Sequence, residues 1–163
     1  MGSGESVEDG GVVGGGAEAP ERAAKDAAGR DLVVEFVPRD PVTGAPAAQG
    51  VMGVKTIVLR SRDGFVLVLV PYEDRFSWPK LRAVLGVNKM KLPTAEEAFA
   101  ATGYRRGTIT PLGAAEVFPV LADERLRGRQ IVIGSGSPDF AARVDADDLI
   151  RAYNAEVVDL TPQ

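Results

Sequence analysis

The chain of 163 residues is long enough for one domain with a hydrophobic core, and 45% of its residues are hydrophobic. It contains neither cysteine nor histidine, which excludes disulfides, thiolate catalysis and cysteine-built zinc sites and leaves carboxylates, lysine, tyrosine, hydroxyls, backbone amides and water for any chemistry. The formal net charge of −4 argues against strong nonspecific binding of nucleic acid by the molecule as a whole.

The N-terminal segment is rich in glycine. Residues 1–16 contain seven glycines, so we expect a disordered tail there and a single domain over residues 17–163. A short helix rich in alanine and charge is predicted at Ala17–Ala28, a strand at Asp31–Val37 and a loop at Arg39–Gly53. Because no apolar run approaches the ~20 residues that cross a bilayer, and no basic region followed by an apolar stretch opens the chain, we expect a cytoplasmic protein without membrane contact.

Two strongly apolar strands follow, at Val54–Arg60 and Phe65–Val70. The sequence Ser61-Arg62-Asp63-Gly64 separates them, and its Asp-Gly pair is a strong signal for a β-hairpin. Both strands are apolar at odd and even positions, which indicates that both of their faces are covered. We therefore expect this hairpin at the centre of a sheet.

The remaining chain alternates capped helices with short strands. Ser77, a Thr94/Glu97 capping box and Asp145 are typical helix starts. They predict helices at Ser77–Gly86, Thr94–Gly103 and Asp145–Tyr153. Apolar runs predict strands at Glu116–Leu121, Gln130–Ile133, Phe140–Val144 and Val157–Leu160. Because this order lacks a strict βαβ repeat, we expect an α+β fold whose mixed, curved sheet tends toward a barrel, with helices packed outside.

Lys55 is the first candidate functional residue, because a charged ammonium group is unusual in an apolar strand. It shares its pleat face with Ile57 and Leu59. Its stem is therefore predicted to pack while its tip reaches a cleft. From position alone, a structural role is the commoner one for such a lysine.

Two glycine-rich segments are further candidates. The loop Gly103–Gly113 contains three glycines and a proline, and its amides can face an anionic or carbonyl ligand. It lacks the Gly-Lys-Ser/Thr ending of a nucleotide P-loop. The turn Gly134–Asp139 carries small residues that permit close approach of a backbone or ligand. Taken alone, each segment is more often a simple connection or a plain turn.

Positive charge concentrates in the middle of the chain. Residues 75–129 hold ten Lys or Arg against five Asp or Glu, whereas the rest holds nine against eighteen. Such an excess favours contact with phosphates. An ordinary solvated face produces it too. Asp123, Asp145 and Asp148 are predicted to be turn and helix-cap residues rather than metal ligands.

The motifs occur in a characteristic order. They are Val54-Lys55-Thr56, Gly103-Tyr104 with Gly107 and Thr110-Pro111-Leu112-Gly113, Ala122-Asp123 with Leu126, and Gly134-Ser135-Gly136 followed by Val144 and Asp148-Leu149. Over residues 32–161 this order resembles the YbaK family of aminoacyl-tRNA deacylases, related to the editing domain inserted in bacterial prolyl-tRNA synthetases. Such proteins hydrolyse the ester that joins a wrong amino acid to its tRNA.

The resemblance implies roles for individual residues. Lys55 and Gly107 are implied to be catalytic, and Arg105 and Arg106 are predicted to contact the tRNA backbone. Substrate-binding positions are implied at Thr108, Thr110, Pro111, Gly134, Ser135, Gly136 and Ala141. The implied substrate is the acceptor end of proline tRNA carrying cysteine, alanine or another small amino acid. Prolyl-tRNA synthetase is a candidate partner, and no cofactor or metal is expected.

Three positions depart from the family pattern. Thr108 stands where many relatives have a second glycine, and Ala141 stands where several have a small polar or acidic residue. Arg39-Asp40-Pro41 resembles a His-Asp-Pro element, with arginine in place of histidine. These departures leave open a noncatalytic module of the same fold that binds the tRNA acceptor end or a synthetase. A binder of small molecules or nucleotides is a third reading.

Overall fold

A mixed eight-stranded sheet flanked by four α-helices makes up the part of the chain that the structure describes, residues 18–162 of a computed structural model. The helices are α1 (Glu18–Gly29), α2 (Trp78–Leu85), α3 (Ala95–Thr102) and α4 (Ala146–Ala152). The strands are β1 (Val34–Pro38), β2 (Met52–Ser61), β3 (Gly64–Pro71), β4 (Met90–Lys91), β5 (Val120–Asp123), β6 (Gln130–Gly134), β7 (Phe140–Asp145) and β8 (Glu156–Val158). The predicted tail at residues 1–16 lies outside the described residues, and the extent of the domain stays a prediction.

The predicted hairpin lies at the centre of the sheet. The strand order is β1-β7-β6-β2-β3-β5-β8, and the two-residue strand β4 pairs with the end of β2. The pairs β1–β7, β7–β6 and β2–β3 are antiparallel, whereas β6–β2, β3–β5 and β5–β8 are parallel. The predicted α+β class with a mixed sheet is therefore confirmed. Within the described residues the sheet stays open, with β1 and β8 at its edges.

Both faces of the central hairpin are buried. Val54 and Val58 of β2 belong to a core shared with α1, α3 and α4. The alternate residue Leu59 belongs to a second core together with Leu81 of α2. Side chains alternate between the faces of a strand, so β2 carries one core on each face. This arrangement explains why the hairpin is apolar at nearly every position.

The predicted helix starts are confirmed by their hydrogen bonds. Ser77 Oγ accepts from the Lys80 amide at 3.2 Å, and Asp145 Oδ1 accepts from the Asp148 amide at 3.0 Å. Thr94 forms a complete capping box, because its Oγ1 accepts from the Glu97 amide while its own amide donates to the Glu97 carboxylate. Such caps satisfy amides that the helix itself leaves without acceptors.

The predicted strand Glu116–Leu121 is wrong in its first half. Strand β5 begins at Val120, and only residues 120–122 pair with β3. Val117 is 86% exposed, and Pro119 has no amide to donate to a ladder. The apolar residues before Pro119 therefore belong to a loop. Strand β4 was not predicted, whereas the turn expected at Asp123 is present as a 3₁₀ turn at Glu124–Leu126.

No described helix could cross a bilayer, since even α1, the longest at twelve residues, is too short and too polar.

Candidate active site

Lys55 lies on β2 opposite Val70 and is half-buried. Its Nζ lies 6.0 Å from the centroid of the Tyr72 ring. Among the side chains of residues 20–162 no carboxylate lies within 4.0 Å of this ammonium group, whereas Lys80 pairs with Asp159 at 2.7 Å. A partly desolvated cation without an internal counter-ion is available to an anionic or developing negative charge.

The end of a short parallel ladder sets the surroundings of Lys55. Strands β2 and β6 pair only at Met52–Ile131 and Gly53–Val132. Lys55 and Gly134 each follow the last pair by two residues. The two sequence motifs therefore both lie just past the end of this ladder.

The loop Gly103–Gly113 passes directly over Gly134. A Cβ at Gly134 would lie 2.7 Å from the carbonyl oxygen of Ile109 and 2.9 Å from that of Thr108. The Gly136 amide also donates to the Thr108 carbonyl at 2.9 Å. Only glycine permits this approach. The loop and the Gly134–Gly136 turn thus form one unit.

Tyr104 is the internal support of that unit. Its side chain is 2% exposed, and its hydroxyl donates to the Leu112 carbonyl at 2.6 Å. The ring lies so close to Gly136 that a Cβ there would be 2.3 Å from a ring carbon. Burial raises the pKa of Tyr104 above its ordinary value, so the phenol stays protonated as a donor. It fixes the far end of the loop.

Gly107 and Arg106 lie at an open cleft of about 170 Å³. Its wall comprises residues 56–58 of β2, residues 92–95 at the start of α3, Ala98 and Ile109. Gly107 has a φ of 91°, and apart from its two chain neighbours no residue comes within 4 Å of where its Cβ would be. Lys55 is not one of the lining residues, although it directly precedes the three β2 residues that are. The sequence prediction missed Thr56 and Leu92 as cleft residues.

Most predicted substrate-binding side chains are engaged internally. Thr108 donates its hydroxyl to the Arg105 carbonyl at 2.7 Å, and Ser135 donates to the Phe140 carbonyl at 2.8 Å. Thr110 Oγ1 accepts from the Leu112 amide at 3.3 Å, and Ala141 is fully buried. These side chains shape the loops, while exposed Gly107 remains accessible to a ligand.

Asp123 and Asp145 have the turn and cap roles predicted for them, whereas Asp148 lies in the first turn of α4 and accepts from Arg151 at 2.6 Å. Asp123 is fully buried, and it accepts hydrogen bonds from the Arg125 and Leu160 amides, both at 2.9 Å. Within residues 18–162 no group of three or more carboxylates is placed to hold a metal ion.

Helix α1 anchors the other end of the glycine loop, a connection that the sequence did not reveal. Asp26 Oδ2 accepts from the Gly113 amide at 2.9 Å, and Arg22 donates to the Gly113 carbonyl at 2.6 Å. The hydroxyl of Tyr153, the residue after α4, and the Arg30 guanidinium also donate to Asp26. Burial by itself raises the pKa of Asp26. The hydrogen bonds together lower that pKa by a larger amount, so its net value is below the ordinary one.

We expect Asp26→Asn to lower the free energy of unfolding and to flatten its dependence on acid pH. The ionised carboxylate stabilises the fold fully above its unfolded pKa of about 3.8, and that contribution is lost as the pH falls through the lower folded value. Urea denaturation from pH 7 to pH 2 measures both effects. Asp63→Asn, at the exposed hairpin turn, is the matched control. Parallel pH profiles for wild type and Asp26→Asn would contradict the expectation.

Residues 44–152 match the family described as the aminoacyl-tRNA editing domain. The chain belongs to this family. The editing domain has relatives among proline–tRNA ligases, including that of Thermosipho africanus, which is 34% identical over 88 residues. These residues are 53% of this chain but only 16% of that ligase, so the editing domain spans about a sixth of the length of the curated relative.

Two further relatives correspond to the editing domain more completely. EbsC of Enterococcus faecalis, a proposed deacylase of Cys-tRNA(Pro) and Cys-tRNA(Cys), is 25% identical over 109 residues, which is 66% of each chain. The crystal structure of a proposed trans-editing enzyme for prolyl-tRNA synthetase superposes with a TM-score of 0.74 at 25% identity. That superposition covers 89% of this chain and 98% of the other, so the fold is shared nearly end to end.

Proposed function

We propose that this editing domain is a trans-acting aminoacyl-tRNA deacylase. Its proposed substrate is proline tRNA esterified with cysteine, alanine or another small amino acid. The observation that carries the proposal is the family match over residues 44–152, together with the accessible Gly107 amide at the cleft and the unneutralised Lys55 on β2, the strand that forms part of the cleft wall. The substrate class is supported by the similarity to proline–tRNA ligases and to EbsC, the proposed deacylase of Cys-tRNA(Pro).

The chemistry proposed for the site is electrostatic. The ester of an aminoacyl-tRNA is already activated, so positioning and charge stabilisation supply most of the acceleration that its hydrolysis needs. Lys55 holds the terminal phosphate or the negative charge that develops on the carbonyl oxygen, and the Gly107 amide polarises that carbonyl or positions water. The free hydroxyl of the terminal ribose assists. Histidine is not required in this scheme.

The size of the cleft supports a small amino acid. Its volume of about 170 Å³ lies below the roughly 300–1,000 Å³ of typical ligand pockets. The side chains of Ile57, Val58, Leu92 and Ile109 make its wall largely apolar. Because apolar pockets separate neighbouring side chains by only about 1–3 kcal/mol, several small amino acids are expected to be accepted at different rates.

Hydrolysis of Cys-, Ala-, Ser- and Pro-charged proline tRNA tests the proposal, with uncatalysed ester decay as the blank. We expect at least one ester to be lost faster than the blank and Pro-tRNA to be spared. Blank rates for all four, and for the same amino acids on other tRNAs, would favour the noncatalytic module. A proline–tRNA synthetase is the proposed partner, since an acidic chain with few basic contacts binds tRNA weakly by itself.

Replacement of Arg105 and Arg106 together by alanine is expected to weaken tRNA binding and to reduce its salt dependence. Both side chains are exposed, and loss of one arginine–phosphate interaction is enough to lower the salt slope by about one. Binding of uncharged proline tRNA, titrated across salt concentrations, gives the slope. Arg62→Ala together with Arg127→Ala is the matched control, because these arginines are also exposed but lie elsewhere. An unchanged slope would refute the placement.

A further inference from the structure

We propose that Arg105, stacked on Phe99, forms a platform for an unpaired base at the 3′ end of the tRNA. This inference rests on the proposed function for the identity of the RNA. It assigns Arg105 a stacking role, whereas Arg106 remains the phosphate contact. The base proposed to stack on Arg105 belongs to a nucleotide next to the esterified terminal nucleoside.

The pair makes a close cation–π contact. The guanidinium carbon of Arg105 lies 4.0 Å from the centroid of the Phe99 ring. Phe99 belongs to the last turn of α3 and is 37% exposed, and Arg105 is exposed too. A guanidinium held against a ring on one side presents its other face to solvent. That free planar face is what an unpaired base can stack on.

The side-chain environment distinguishes this pair from the other close arginine–aromatic contacts. Arg22 and Arg30 lie over Tyr104 and Tyr153, but both donate side-chain hydrogen bonds. Arg60 lies near Phe65 and pairs with Glu97. Among the side chains of residues 20–162, Arg105 has neither an ion pair nor a hydrogen bond. Phe99 is therefore the only one of these side chains that engages the Arg105 guanidinium.

The Arg105–Phe99 pair lies next to the cleft, which indicates which part of the tRNA it would bind. Arg105 precedes Arg106 and Gly107, both of which line the cleft, so the platform lies within two residues of the proposed ester site. Leu92, also at the cleft, is 53% exposed. An exposed apolar ring, a free planar cation and a neighbouring basic residue are the combination that binds single-stranded nucleic acid. The nucleotides that precede the ester are single-stranded, so they fit this surface.

Binding of two uncharged RNA hairpins tests the platform. One hairpin carries the unpaired 3′ end of proline tRNA, and the other is trimmed of it. We expect wild type to bind the tailed hairpin about tenfold more tightly, which is the range of one base stacked on a side chain. Phe99→Ala and Arg105→Lys are each expected to remove most of that preference. Arg105→Lys keeps the charge and loses only the plane.

Arg62→Lys is the matched control, because Arg62 is an exposed arginine at the hairpin turn, and it is expected to keep the full preference. Equal binding of both hairpins by wild type, or an undiminished preference in both variants, would overturn the platform. The deacylation assay decides the proposed function separately. Hydrolysis without tail preference rejects the platform alone, whereas a tail preference lost in the variants without hydrolysis rejects only the enzyme.

Discussion

Lys55→Ala is expected to slow hydrolysis of the preferred mischarged tRNA by about 10²–10³-fold, the usual cost of removing one preorganised charge-stabilising donor. Lys55 has no carboxylate partner within the described residues. Its removal therefore breaks no internal ion pair, and the fold should tolerate it. Single-turnover hydrolysis of the ester, with thermal unfolding measured in parallel, separates an effect on the chemistry from an effect on the fold.

Two more variants sharpen that result. Lys55→Met keeps the length and apolar stem of the side chain but removes the charge, so it is expected to be as inactive as Lys55→Ala. Lys25→Ala is the matched control, because Lys25 is exposed on α1 and is expected to leave the rate unchanged. Full activity in both Lys55 variants would mean that the role of Lys55 is wrong.

Gly136→Ala is expected to destabilise the fold by about 2–5 kcal/mol. A left-handed backbone costs a residue with a Cβ about 1–2 kcal/mol, and the φ of Gly136 is 88°. The added methyl would meet Tyr104 at 2.3 Å, and overpacking of this kind typically costs about 1–3 kcal/mol. Tyr104 cannot turn away without losing its hydrogen bond to the Leu112 carbonyl. Urea denaturation measures the destabilisation.

Gly128→Ala separates the two contributions to that destabilisation. Gly128 also has a positive φ, 76°, but no atom lies within 4 Å of its built Cβ. It is therefore expected to show only the backbone contribution. Equal destabilisation by Gly128→Ala and Gly136→Ala would show that the steric conflict with Tyr104 contributes nothing.

The sequence predicted well those features that depend on residues close together in the chain, namely the hairpin turn and the helix caps. The Asp63-Gly64 pair and the caps at Ser77, Thr94 and Asp145 depend on residues within one turn, and all were placed correctly. The segment before Val120 was misjudged because its apolar residues suggested burial, whereas Val117 is exposed and Pro119 cannot donate. Whether the sheet closes depends on pairing across the whole chain, which no local pattern encodes.

The site was predictable as a set of motifs but not as a surface. The glycine loop and the Gly134 turn stand out in the sequence because glycine is required where backbones approach closely, and their functional role, like that of Lys55, stays a prediction. The sequence did not reveal that Thr56 and Leu92 form part of the cleft wall. Which strand residues face a cleft depends on how distant segments pack against the strand. The bond between Asp26 and Gly113 joins residues 87 positions apart, a separation at which sequence periodicity carries no information.

The anchoring of the glycine loop by α1 also bears on where the functional unit begins. The family match starts at residue 44, yet Asp26 and Arg22, which bind both backbone polar groups of Gly113, precede it. A domain excised or grafted at the family boundary would lack both partners and leave a loop end unbonded. The smallest fragment that keeps both of these bonds therefore includes α1. A protein into which only residues 44–152 were grafted would need its own carboxylate and guanidinium to bond Gly113.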